Sequence, residues 1–231
     1  MNGALFRKAR LDAGWTQVRL ADKLQLTQAY LSLMESGRRR MPARVARRLV
    51  RLLDLPPTML PATTPSKSRC RPSNAWFEAQ LARLSYPGYA YRKRPGSVHH
   101  PAEVLLAALA HDDLEPRLTE ALPWLLLQHE GFDAQRLVAG AKARDLQNRL
   151  GFVVALARQV AERKRGYEPR ISAMRQLEEL LEPSRLAREE TFGQGRASER
   201  MRAWLRKERT NAARHWNLLT DLKVEHLPYA R

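Results

Sequence analysis

Cysteine occurs once in this chain, at Cys70, and no long apolar run occurs at all. A single thiol closes no intrachain disulfide and builds no cysteine-rich zinc site. Such usage fits a reducing cytosol. The most apolar stretches, Val104–Ala110 and Phe152–Ala157, are far too short to span a bilayer. Arg7, Lys8 and Arg10 interrupt the first apolar residues, so no secretory signal is expected. There is no glycine-rich phosphate loop and no nucleophile motif. No cofactor, no metal and no catalytic role is therefore expected, and the location expected is cytoplasmic, without a membrane partner.

What the chain has in excess is positive charge. Its 231 residues carry 41 Lys and Arg against 24 Asp and Glu, a net charge of +17. Such an excess calls for a polyanionic partner, and in a soluble protein that partner is usually nucleic acid. The charge is concentrated at one end. Residues 1–56 hold 12 basic and 4 acidic side chains, whereas residues 57–231 hold 29 and 20. Hydrophobic residues make up 44% of the chain, enough for packed cores.

Three segments follow. Residues 1–60 read as five short helices. Residues 61–73 are rich in proline, serine and threonine and read as a linker. Residues 74–231 read as a larger all-helical domain of six or seven helices, for dimerisation, sensing or partner binding. There Asn74 is a candidate cap, Pro101 a first helical residue, Pro123 a kink or restart, and Ser198–Leu222 a single helix. Neither β-alternation nor a repeat period is present. The fold class is all-α.

Residues 17–36 have the pattern of two short helices packed across a tight turn. Leu20 and Leu24 share one face, Leu26 plugs the turn, and Leu31 and Met34 face inward from the second helix. Ala21 is small where the helices come closest. Thr16 and Thr27 are suited to cap the two helices, and Gly37 to end the second. Together with Arg10-x-x-x-Gly14-x-Thr16-Gln17, Leu20-Ala21, Leu26-Thr27, Glu35-Ser36-Gly37-Arg38 and Pro42, this region resembles the phage-repressor-like (Cro/CI, XRE) helix-turn-helix family over residues 3–56. Gln25 stands where the family usually has glycine, so the backbone there has to accept a strained conformation or a different turn.

The resemblance implies a lambda-repressor-like five-helix domain whose third helix enters the major groove of double-stranded DNA. Gln28, Ala29, Ser32 and Leu33 would then face the bases, with Thr27 at the entrance. Gln28 suits adenine, and Ala29 and Leu33 suit thymine methyl groups, while Ser32 specifies little. Gln17 and the cluster Arg38, Arg39 and Arg40 suit phosphates. Tyr30 either reaches a phosphate or packs. Arg10 and Glu35 match positions that form an internal ion pair in the family, a structural role. The expected function is a transcriptional regulator, a repressor of its own operon, that binds an inverted-repeat operator as a homodimer.

The larger domain gives weaker signals. Arg149-Leu150-Gly151-Phe152 resembles a run in the C-terminal domain of abortive-infection-type antitoxins, which makes a toxin protein an alternative partner. Gly151 inside a helix also suggests close packing by another element. Tyr86, Tyr89 and Tyr91 interleave with Arg92, Lys93 and Arg94, as in single-strand binders; the simpler reading is a solvated loop with packed tyrosines. His111-Asp112-Asp113, with His99, His100 and Asp145, invites a metal-site reading, and a helix end explains it more simply. Arg209 and His215, with Asn211 between them, resemble the signature of HEPN ribonucleases. That leaves an RNA-processing enzyme as the least favoured alternative.

Overall fold

The computed structural model describes residues 3–60, 72–92, 95–195 and 197–230. The chain divides into two compact units. The smaller comprises the N-terminal segment together with Gly96–His100, and the larger comprises the rest. Cys70, Lys93, Arg94 and most of the 61–73 linker lie outside the described residues.

The smaller unit contains α1 (Gly3–Asp12), α2 (Gln17–Leu24), α3 (Gln28–Glu35) and α4 (Ala43–Leu52). Its core is Phe6, Leu20, Ala21, Leu24, Leu31, Met34, Ala46 and Leu49, with Leu26 packed against it. The fifth helix expected from sequence is a single 3-10 turn, Pro57–Met59. Consecutive prolines at 56 and 57 fix φ and remove two backbone donors, so one turn forms and no more. Thr16 and Thr27 cap α2 and α3, accepting the backbone N–H of Arg19 and Tyr30 at 3.2 Å each. Gly3 allows α1 to approach the carbonyl end of α3. A Cβ on it would stand 2.9 Å from the Glu35 carbonyl oxygen and closer still to that of Met34.

Gly96–His100 falls within the larger domain by sequence and belongs to the smaller unit in the structure. Val98 packs on its core. Arg51 donates to the Gly96 carbonyl at 3.1 Å, and the His100 ring nitrogen Nε2 lies 3.0 Å from the Thr58 carbonyl oxygen. One apolar residue among turn formers is too weak a pattern to assign such a segment from sequence.

The larger unit holds α5 (Asn74–Arg83), α6 (Pro101–Leu109), α7 (Pro116–Gln128), α8 (Ala134–Lys142), α9 (Gln147–Arg163), α10 (Glu168–Leu181), α11 (Glu199–Glu208) and α12 (Asn211–His215). Every residue of α9 from Gln147 to Ala157 is buried. A helix enclosed on all sides is the core of its domain, and α7, α8, α10 and α12 pack around it. The only strands among the described residues are β1 (Glu190–Thr191) and β2 (Leu218–Leu219), paired in parallel.

Three local expectations change. Ser73 caps α5, accepting from Trp76 N–H at 3.3 Å, so Asn74 is the first helical residue. Pro123 lies inside α7 and does not restart it. The stretch 198–222 breaks because Arg209 is extended and Thr210 starts a new helix, its hydroxyl accepting from Ala213 N–H at 3.2 Å. Asn217, with φ 51°, then turns the chain into β2. Threonine and asparagine compete well with a continuing helix at such points.

Candidate nucleic-acid interface

The turn between α2 and α3 sets the site. Gln25 is left-handed, φ 57° and ψ 47°, so the strained conformation is the one adopted, at roughly 1–2 kcal/mol for a residue with a Cβ. The Leu26 N–H reaches back to the Ala21 carbonyl at 3.0 Å, and Leu26 closes over the core. On α3, Leu31, Met34 and Glu35 turn inward. Gln28, Ala29 and Leu33 are exposed and Ser32 half-buried, so these four occupy one outward strip. Leu33 is 39% exposed, an apolar side chain held in solvent by the helix that carries it.

A chain of polar side chains runs from this strip to the core. Arg10 and Glu35 are 5% and 3% exposed. Arg10 donates from Nε to Glu35 Oε1 at 2.7 Å and from Nη2 to Oε2 at 3.0 Å, while its Nη1 holds the Trp15 carbonyl at 2.7 Å. Gln17 Nε2 donates to Glu35 Oε2 at 2.8 Å. Gln28 Nε2 in turn donates to Gln17 Oε1 at 2.6 Å. The sequence points to the ion pair, to Gln17 on phosphate and to Gln28 on a base. It gives no sign that Gln17 bridges the two.

The remaining capacity of Gln28 is definite. An amide has two N–H donors and one carbonyl acceptor. One donor serves Gln17, which leaves the other donor and the carbonyl oxygen unused on an exposed side chain. Those two groups are what bidentate pairing with adenine N7 and N6 requires. The same contact with Gln17 fixes the side chain beforehand, so less rotamer entropy is lost on binding.

Arginines flank the strip. Arg38, Arg39 and Arg40 are all exposed. The Arg39 guanidinium lies 4.6 Å from the centre of the Tyr30 ring, and its backbone N–H ends α3 on the Leu33 carbonyl at 2.9 Å. Tyr30 thus packs, and serves Arg39 as a platform. Arg19 lies in the same way 4.7 Å from the centre of the Trp15 ring, beside the start of α2. Neither Trp15 nor Arg19 stands out from the sequence pattern, although an aromatic four residues before an arginine is the available signal. Arg48 plays a different part. It donates to the Leu24 and Lys23 carbonyls at 3.1 and 3.0 Å, closing the end of α2.

The weaker candidates of the larger unit resolve into packing. Arg149 donates to the Leu109 carbonyl at 2.7 Å and to Glu190 at 3.2 Å, with Asp112 at 3.5 Å. Burial pushes the Glu190 carboxyl above its ordinary range, and Arg149 pulls it back. A Cβ on Gly151 would stand 2.5 Å from the Trp216 ring, so the close-packing element is an indole at the end of α12. Phe152 meets Phe192 edge-on. Tyr86 and Tyr89 are buried, with Tyr86 against Trp124 and Tyr229, and burial raises the Tyr89 hydroxyl to about 12. Tyr91 is 74% exposed, and Arg92 pairs with Glu78. His111 stands edge-on to Phe77, and Asp145 faces Arg188. Among the described residues no group of His, Cys, Asp and Glu is placed to hold a metal ion. Arg209 and His215 bind separate carboxylates, Glu189 and Glu182.

The fold defines a domain of the helix-turn-helix class, an architecture that in general binds DNA through the second helix of its motif, the place α3 holds here. Comparison with known proteins agrees: residues 3–62 match the family model of a helix-turn-helix domain. No curated protein and no solved structure matches the chain. None of the described helices is long and apolar enough to cross a membrane.

Proposed function

We propose that this protein is a sequence-specific regulator of transcription that represses its own operon, two copies reading the two halves of an inverted repeat. The observation that carries this reading is the exposed amide of Gln28, bound through Gln17 to the buried Arg10–Glu35 pair. A purely electrostatic DNA binder has no use for a polar side chain braced this way, because phosphate contacts carry no sequence information. Ala29 and Leu33 extend the same strip with apolar groups suited to thymine methyls. Arg19, Arg38, Arg39 and Arg40 supply the phosphate contacts that set register. The chain acts by binding, and no catalytic step is assigned to it.

Fluorescence anisotropy on its own upstream DNA and on a scrambled duplex, each across a salt series, tests the reading. Specific binding should persist at physiological salt while scrambled binding collapses. Equal and steeply salt-dependent binding to both would overturn autoregulation through this site. The antitoxin alternative gains little support from Arg149-Leu150-Gly151-Phe152. All four residues are buried and engaged inside their own domain, where no partner reaches them. A protein that co-purifies with the chain and is silenced by it would restore that alternative.

A further inference from the structure

Three arginines in a row follow α3, and the structure treats the middle one differently. Gly37, with φ 75°, turns the chain back at the end of the helix. The Arg39 N–H then bonds to the Leu33 carbonyl at 2.9 Å, and its guanidinium lies 4.6 Å from the centre of the Tyr30 ring. Backbone and side chain of Arg39 are thus both fixed to α3. Arg38 and Arg40 are exposed and make no hydrogen bond, ion pair or ring contact among the described residues. Tyr30 is itself held. Its N–H is capped by the Thr27 hydroxyl at 3.2 Å, and its side chain is half-buried against the core of the smaller unit. A ring anchored on one side and carrying a cation on the other works as a seat.

The seat stands at the edge of the outward strip. Tyr30 precedes Leu33 by three residues, which puts the two about 60° apart around the helix, with Gln28, Ala29 and Ser32 turned further round. A major groove is about 12 Å wide, and a helix with its side chains is about 10–12 Å across. A residue on the shoulder of a helix in that groove therefore meets the walls, where the phosphates run. The ring attracts the charge of the guanidinium as a whole. It leaves to a phosphate the N–H donors that no hydrogen bond among the described residues consumes. Arg92 shows the opposite case. It lies 5.7 Å from the centre of the Tyr91 ring, but its guanidinium is spent on Glu78 at 2.8 Å.

We infer that Tyr30 is a positioning residue for DNA binding: it holds Arg39 at a set place beside Leu33, and so makes Arg39, among the three arginines, the contact that fixes the strip against one phosphate. Phosphate contacts set register and orientation, and a cation already seated loses less rotamer freedom on binding than a mobile one. Tyr30 acts through Arg39 and needs no contact of its own with base or phosphate. The inference rests on the proposed reading of the α3 strip as the surface that faces DNA, and names the cation that orients it.

The test is anisotropy of the full chain on its upstream DNA and on a scrambled duplex, with Tyr30→Leu, Arg39→Ala and the double variant measured as a cycle beside wild type. Tyr30→Leu should weaken binding roughly two- to fivefold, with the salt slope near that of wild type because the charge remains. The same substitution in the Arg39→Ala background should change nothing further. Tyr30→Phe keeps the ring and should bind as wild type does. Arg39→Ala should cost more affinity than Arg38→Ala or Arg40→Ala. Circular dichroism reports folding; should Tyr30→Leu fail to fold, the order of the three arginine variants, all at the surface, decides by itself. A loss from Tyr30→Leu that is undiminished in the Arg39→Ala background would overturn the inference, as would a larger loss from Arg38→Ala or Arg40→Ala than from Arg39→Ala. Wild type that binds both duplexes equally would overturn regulation of its own operon, with the Tyr30–Arg39 coupling still decided on either duplex. Wild type that binds neither would overturn both.

Discussion

Both units keep polar side chains against a buried helix, and they direct them in opposite directions. In the smaller unit the chain Arg10, Glu35, Gln17 and Gln28 starts in the core and ends in solvent with unused donor and acceptor groups. In the larger unit three consecutive residues at the start of α9 are turned entirely inward. Gln147 donates to the Ser184 carbonyl at 3.3 Å. Asn148, fully buried, holds the N–H and carbonyl of Leu186 at 2.9 Å each. Arg149 takes Glu190 and the Leu109 carbonyl. A polar network whose bonds all stay within its own domain fixes a segment in place, whereas one with unused groups on an exposed side chain is ready for a ligand. That contrast, and not the number of polar residues, separates a binding site from a structural latch.

The contrast can be broken at either end. Glu35→Ala leaves the Arg10 guanidinium buried without its partner and should destabilise the smaller unit by about 3–5 kcal/mol. Urea unfolding followed by circular dichroism should then show an early transition for that unit alone. Replacing both partners, Arg10→Met with Glu35→Leu, should restore much of the stability while releasing Gln17, so that the fold returns but base discrimination does not. Asn148→Ala removes both bonds to a buried backbone and should cost the larger unit about 2–4 kcal/mol, with no change in DNA affinity per folded molecule. A loss in the smaller unit from that substitution would contradict the separate roles.

Smaller effects sharpen the DNA side. Gln28→Ala should cost about 1–3 kcal/mol on the operator and relax preference at one base pair. Arg39→Ala should weaken every duplex alike and lower the salt slope by roughly one unit. A sequence-dependent loss for Arg39→Ala, in competition with duplexes altered at single positions, would move that residue from phosphate to base.

The smaller unit is largely legible in sequence because its constraints are local. Thr16 and Thr27 cap, Gln25 turns, and Leu31 and Met34 face inward, all within 20 residues. Gln17 is legible at the right helix end with half its role hidden, because its bond to Glu35 joins residues 18 apart and no spacing rule reports it. The larger unit is legible as helices and not as an arrangement. The Arg149–Glu190 contact, the Gly151–Trp216 packing and the break at Arg209 depend on segments some 40 to 65 residues apart, or on a cap competing with a continuing helix. The Pro57–Met59 turn stands in place of a fifth helix because two prolines outweigh the apolar residues around them.

The most direct test of base reading by Gln28 compares wild type with Gln28→Ala on operator and scrambled duplexes by anisotropy, at matched salt. The expected result is a loss confined to the operator, with scrambled binding and salt slope unchanged. Equal losses on both duplexes would contradict it, and would make the braced glutamine part of the scaffold instead of the reader.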